Sequence, residues 1–254
     1  MSWLRHNLGW LQRAGERWGC AHAEPLRLRA WMASPVIWDA YDGLRLEGAL
    51  QYAVVALESG SVPSDVFADA PRDIAVDIPI PIVDVEIGGR RIACASVALA
   101  PPCAIETVRF IRRRARVEAL AVGKVLISGG PYKSTNIPKA TVTTPWVDFF
   151  VRGDRARLAT LLKDVSSLSA SRAGGLGVVL GWQIDDDPDD RSLVYRDAPQ
   201  RTLPLVSDGG EWDLQRFDPT TYEIREATTR APYWHQRSRA ECLTPVPRRE
   251  AAAA

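Results

Sequence analysis

The residues best suited to chemistry in this chain are cationic. Arg112, Arg114 and Arg116 recur at every second position, so a strand sets all three on one face, with Ile111, Ala115 and Val117 on the other. Lys124, Lys133 and Lys139 follow, with Tyr132 beside Lys133. Cationic side chains contact phosphates and an exposed aromatic stacks on a base, so the set suits a polynucleotide strand. A second basic and aromatic set lies nearer the start. Leu26, Leu28, Ala30 and Met32 alternate with Arg27, Arg29 and Trp31, which predicts a strand with one apolar face and one face for phosphate and base. The third set is the glycine-rich stretch Ser171 to Trp182. There Gly174, Gly175 and Gly177 let backbone N–H groups face an anion, and Arg172 adds a charge.

Other chemistries find little support. Three histidines, His6, His22 and His235, are few for general acid–base work, and no GxSxG elbow or HExxH pair is present. The run Gly130 to Thr135 fails the Walker pattern, because no glycine precedes Lys133 and Asn136-Ile137-Pro138 blocks the helix that must follow. Cys20, Cys94, Cys103 and Cys242 show no CxxC pairing, which leads us to expect reduced thiols, a cytoplasmic protein and neither metal nor cofactor. Asp185 to Asp190 holds five aspartates but lacks the glycine and terminal glutamate of an EF-hand, and reads as a solvated turn. A metal-independent ribonuclease using His22, Tyr41 or His235 is the enzymatic rival.

These side chains need elements to position them. Trp3, Leu4, Leu8, Trp10, Leu11 and Trp18 predict an amphipathic helix over 2–19, packed on its own domain or docking a partner. Leu46, Leu50, Ala53, Val54 and Leu57 predict a second helix, with Asp42 as an N-cap and an end at Ser59-Gly60. Val83, Val85 and Ile87 face Ile92 and Cys94 across Gly88-Gly89, a hairpin. Val108 to Val117 and Trp146 to Val151 are further strands. Leu158, Leu161, Leu162, Val165 and Leu168 predict a helix over 154–168, and Val178, Leu180, Trp182 and Ile184 a last strand. The glycine stretch therefore follows a helix instead of opening one, which disfavours a mononucleotide pocket. Residues 191–249 read as a closing region with short strands.

Net charge is +1, but its distribution is uneven. Residues 105–173 hold 13 Lys and Arg against 5 Asp and Glu, and residues 174–230 hold 6 against 12. That fits a basic face for nucleic acid with an acidic region turned elsewhere, and equally a solvated surface of uneven composition. No apolar run reaches the length of about 20 residues that a membrane span needs, and Arg5, His6, Asn7, Gln12 and Arg13 break any secretory h-region.

In order, the pattern is strand, helix, hairpin-rich insert, basic strand, helix, glycine loop and strand. It resembles the RAMP superfamily of CRISPR proteins, closest to the five-prime-handle-binding, Cas-five-like subunit of type IV effector complexes. The resemblance rests on Met32-Ala33-Ser34-Pro35-Val36, Asp39-Ala40-Tyr41-Asp42, Arg45 to Ala53, the Arg172 to Gly181 loop, Tyr233-Trp234-His235 and Glu241 to Pro245. It implies an α+β, ferredoxin-like (RRM-like) domain with an antiparallel sheet, a β-hairpin-rich insertion and an irregular C-terminal region. The boundaries expected are an N-terminal helix at 1–22, the RAMP domain at 23–184 with an insertion at about 63–142, and a C-terminal extension at 185–254. Membership implies a non-catalytic subunit that grips the 5′ handle of crRNA, caps the backbone filament and helps inspect target DNA, with other CRISPR effector subunits as partners. The rivals are the ribonuclease, processing repeat RNA, and a protein-only scaffold.

Overall fold

In a computed structural model, the structure describes residues 2–38, 43–67, 76–101, 103, 105–112, 135–168, 175–205, 214–229 and 239–246. Its elements in chain order are α1 (Ser2–Trp18), β1 (Glu24–Met32), β2 (Val36–Ile37), α2 (Glu47–Ser59), α3 (Pro63–Val66), β3 (Asp84–Ile87), β4 (Arg90–Ala93), β5 (Ile105–Arg112), β6 (Thr135–Val142), β7 (Trp146–Gly153), α4 (Arg155–Leu161) with a 3-10 turn over Leu162–Asp164, β8 (Val179–Asp186), β9 (Val194–Tyr195), β10 (Ala198–Pro199), β11 (Leu203–Pro204), β12 (Tyr222–Thr228) and β13 (Arg239–Pro245).

The central sheet grows from the alternation in β1. Leu26, Leu28 and Ala30 are fully buried, in one core cluster with Leu50 and Val54 of α2 and Leu158 and Leu161 of α4. β1 pairs antiparallel with β7 on one side and β8 on the other. The extended segment 94–99 adds to the outer edge of β7: Leu99 and Asp148 exchange backbone hydrogen bonds at 2.8 Å, and Ser96 N–H donates to Phe150 O at 2.8 Å. The order 94–99, β7, β1, β8, with α2 and α4 packed on one face, is the antiparallel arrangement of a ferredoxin-like α+β fold. Segment 94–99 lies inside the stretch expected to be an insertion, yet it serves as a strand of the sheet.

Several expectations shift. Asp42 lies outside the described residues, and α2 begins at Glu47 with Leu46 at its N-cap; Gly60, at φ 70°, ends it. The helix predicted over 154–168 stops at Leu161 and its 3-10 turn, capped at its start by Asp154, whose carboxylate accepts from Arg157 N–H at 3.1 Å. Beyond it Leu168 N–H donates to Gly177 O and Val179 N–H to Ser166 O, so 165–168 is extended. The hairpin at Gly88-Gly89 forms as β3 and β4, in full register from Asp84 with Ala93 to Ile87 with Arg90.

α1 packs on its own domain. Trp10, Ala14 and Trp18 are buried in the main core, and Glu58 of α2 accepts from Trp18 Nε1 at 2.8 Å and from Arg17 at 3.2 Å. The C-terminal stretch forms a second sheet, β11–β13–β12, whose Leu203 and Leu243 share a small core with Ile87, Ile92 and Phe217. Two arginines join it to the ferredoxin-like unit. Arg45 donates to Thr228 O at 2.7 Å and Thr202 Oγ1 at 3.0 Å. Arg201 donates to the carbonyls of Ala93, Ala95 and Thr229 and forms a 2.9 Å ion pair with Glu47, both side chains at most 4% exposed. No helix among the described residues is long and apolar enough to cross a membrane.

Candidate nucleic-acid interface

The face of the central sheet away from α2 and α4 carries the alternate residues of each strand. Register places Trp31 opposite Trp146 and Gly181, Arg29 opposite Asp148 and Gln183, and Arg27 opposite Phe150 and Asp185. Trp31 is 40% exposed, which is unusual for so large an aromatic in a strand. Arg29 lies beside it, its guanidinium 5.6 Å from the Trp31 centroid and 3.9 Å from that of Trp146. Asp148 fixes Arg29 through two parallel hydrogen bonds of 2.7 and 2.8 Å, and this carboxylate raises the arginine's pKa still further. Arg27 is held likewise, at 3.2 and 2.5 Å from Asp185 Oδ2, and its hydrogen bonds, with those of Gln183, keep the Asp185 carboxyl below its ordinary pKa.

Arg27 and Arg29 were expected to hold phosphate. In the fold they already hold carboxylates, so a phosphate must displace an anion to reach either. Arg29 instead makes cation–π contacts with two indoles, worth about 0.5–1 kcal/mol per contact at exposed sites. Sequence reasoning missed Trp146 and Asp148. Their alternation with Phe150 along β7 carries the signal, since residues two apart share a face.

The basic hairpin rises from the same end of the sheet. β5 and β6 pair from Ile105 with Val142 to Arg112 with Thr135, β2 pairs with the root of β6, and Met32 N–H donates to Pro145 O at 2.9 Å. Lys139 is half-buried, opposite Val108. Arg112 closes the described part of β5, and its side chain is not among those described. Arg114, Arg116, Lys124, Tyr132 and Lys133 belong to the connection between β5 and β6 and lie outside the described residues. The sequence from Ile105 to Lys139 holds eight Lys and Arg against two Glu.

The glycine loop reaches this end too. Gly175 and Gly177 have φ of 71° and 69°, the left-handed region that glycine adopts freely. Gly177 N–H donates to Pro35 O at 2.8 Å, Val178 N–H to Ser34 Oγ at 2.9 Å and Val179 N–H to Ser166 O at 2.9 Å. The first two N–H groups tie the loop to the segment just after β1 and the third to the segment after α4, so none is open to an anion, contrary to the expected backbone clamp at Gly177. Arg172 and Gly174 lie outside the described residues. Val178 and Leu180 add exposed apolar surface, Leu180 at 74%.

The aspartate run does turn, at 187–190, with Asp186 and Asp189 exposed, but it is not wholly solvated. Asp186 pairs with Arg155 and Asp190 with Arg152, while buried Asp187 accepts from Arg191 N–H at 2.7 Å and Arg191 Nε at 2.8 Å. The Arg191 guanidinium then covers Phe150 at 3.7 Å. Among the described residues no group of three His, Cys, Asp or Glu is arranged to hold a metal ion. Of the candidate ribonuclease residues only His22 is described; it is exposed, and its backbone N–H donates to Asp154.

Comparisons with known proteins return no matching family model and no matching curated protein. Among solved structures the chain is similar to a chain in the cryo-EM structure of the Type III-B Cmr-beta complex bound to cognate target RNA, at 7% identity and a TM-score of 0.29. The likeness covers 72% of this chain and 66% of that one. A score so low does not establish a shared fold, and the architecture described above rests on this chain's own strand pairing.

Proposed function

We propose that this protein is a non-catalytic RNA-binding subunit of a CRISPR ribonucleoprotein effector complex. In this reading it grips the 5′ handle of crRNA, caps one end of the backbone filament beside the filament protein, and helps inspect duplex DNA flanking the target. The observation that carries it is the exposed Trp31 on the open face of a ferredoxin-like sheet, at the end from which the basic hairpin rises. Stacking on such a ring contributes about 1–3 kcal/mol per base without reading sequence. The arginines and lysines of residues 105–139 supply phosphate contacts whose strength falls with salt. The resemblance of the glycine loop and the Arg45 to Ala53 helix to the type IV handle-binding subunit is what selects crRNA among single strands.

The test is co-expression with its genomic neighbours, followed by purification and measurement of RNA content. A complex carrying crRNA with this subunit at the handle end is the expected result, and a stable complex free of RNA would favour the protein-only scaffold. Incubating the purified protein with repeat RNA in EDTA separates the enzymatic rival. Intact RNA is expected, whereas cleavage abolished by substitution of His22, Tyr41 or His235 would establish a ribonuclease.

A further inference from the structure

The open face of the sheet contains a gap beside its exposed tryptophan. Gly181 stands directly across from Trp31 on β8, and a Cβ built there meets nothing within 4 Å. Any other residue at this edge-strand position would place a side chain beside the indole. Glycine leaves a shelf instead, with backbone as its floor and Trp31 as its wall. Arg29 braces the wall: Asp148 fixes it, and its guanidinium lies 5.6 Å from the Trp31 centroid and 3.9 Å from that of Trp146.

A polar group lies on the same face of β8. Gln183 lies two residues from Gly181 on the same face, opposite Arg29. Its Nε2 donates to both carboxylate oxygens of Asp185 at 3.1 Å, and Arg27 holds that carboxylate in turn. A carboxylate only accepts, so the amide is turned one way and its Oε1 is left as an acceptor. Among the described residues nothing donates to it. Gly181 and Gln183 are about 6.8 Å apart along the strand, a step better spanned by a purine's fused rings than by a pyrimidine.

From this geometry we infer that the shelf seats one unpaired purine of the bound RNA. The base lies over Gly181, stacks on Trp31 and donates its exocyclic amino group to Gln183 Oε1. This rests on the RNA-binding reading above and adds to it a defined subsite with a base preference. Negative charge from the strand's phosphates is matched by Arg109 and Lys139 on the described part of the hairpin at the same end of the sheet, which favours RNA over a protein segment as the occupant.

The experiment uses the full chain with labelled oligoadenylate and oligouridylate. Wild type is expected to prefer oligoadenylate and to show quenching of tryptophan fluorescence on binding it. Gly181→Val fills the gap with a residue that strands favour. It is expected to weaken oligoadenylate binding by roughly 5- to 150-fold, the loss of one stacked base, with an unchanged melting temperature. Trp31→Ala should lose a similar factor, which guards against a folding defect in the valine variant. Gln183→Leu should abolish the preference for adenine, bringing oligoadenylate affinity down to that of oligouridylate. Salt-sensitive RNA binding that G181V and W31A leave intact, or equal affinity of wild type for the two oligonucleotides, would overturn the purine seat and leave the RNA-binding reading standing. Failure of wild type to bind any RNA would overturn both.

Discussion

Arg201→Met removes the cation that joins the C-terminal sheet to the ferredoxin-like unit, with little change in side-chain volume. Its guanidinium is 2% exposed and donates to three backbone carbonyls besides the Glu47 carboxylate. In the variant Glu47, itself 3% exposed, is left charged and buried without its partner. Removing one member of a buried pair costs about 3–5 kcal/mol, a large share of the roughly 5–15 kcal/mol that holds a domain folded. For a chain of this size each kcal/mol lowers the melting temperature by about 2–4 °C, so a fall of roughly 6–20 °C is expected. Among the described residues Glu47 Oε2 and Arg201 Nε have no hydrogen-bond partner, so the pair does not recover all of its desolvation. The double variant Glu47→Leu with Arg201→Met should therefore return to within about 2 kcal/mol of wild type. Urea denaturation followed by tryptophan fluorescence and by far-UV circular dichroism reads both variants, with coincident curves as the check on two-state behaviour. Additive losses in the double variant, or a cost under about 1 kcal/mol for Arg201→Met alone, would refute the reasoning.

Asp154 gives a pH-dependent expectation. Burial works to raise its pKa, but N–H donation from the backbones of Arg157, His22 and Ala21 outweighs it and holds the carboxyl below its ordinary value. Because the folded pKa is the lower one, this stability is present above the ordinary carboxylate range and lost as pH falls through the depressed value; Asp154→Ala should cost about 1–2 kcal/mol at neutral pH and flatten the acid limb of the unfolding curve. Burial pushes the Cys94 and Cys242 thiols up to about 11, so a thiol reagent at neutral pH should modify exposed Cys103 in the native protein and reach Cys94 and Cys242 only on unfolding. Neutralising Arg112, Arg114 and Arg116 together should reduce the salt slope of RNA binding by about 2, at roughly 0.7 per phosphate on a single strand; an unchanged slope would remove these arginines from the interface.

What was legible in the sequence is what local periodicity controls. The β1 alternation sorted Leu26, Leu28 and Ala30 from Arg27, Arg29 and Trp31 correctly, because the period of a strand is built into neighbouring residues. The Gly88-Gly89 hairpin was legible for the same reason. Segment 94–99 was not, since its place beside β7 is set by backbone hydrogen bonds to residues some fifty positions away, and Ala95, Ser96 and Ala98 carry no strong strand preference. Periodicity also misled at Val165 and Leu168. Both are buried as a helix would bury them, but the backbone leaves the helix to bond the strand after the glycine loop. In the site, Trp31 was legible by its type, whereas the roles of Arg27 and Arg29 were not. Their partners Asp148 and Asp185 lie more than a hundred residues away along the chain.

The same distances give the acidic stretch a meaning that a count of charges hides. Asp185, Asp186, Asp187 and Asp190 fold back onto Arg27, Arg155, Arg191 and Arg152, so the chain carries its own surrogate for a phosphate strand along one side of the sheet. If the proposed role holds, a nucleic acid drawn by the protein's cations would meet that side already occupied and be steered toward the hairpin and Trp31. Asp185→Asn together with Asp186→Asn would discharge part of the surrogate while keeping the chain whole. That variant should then bind polyanions of every kind more tightly, and its apparent gain in affinity would be a loss of discrimination.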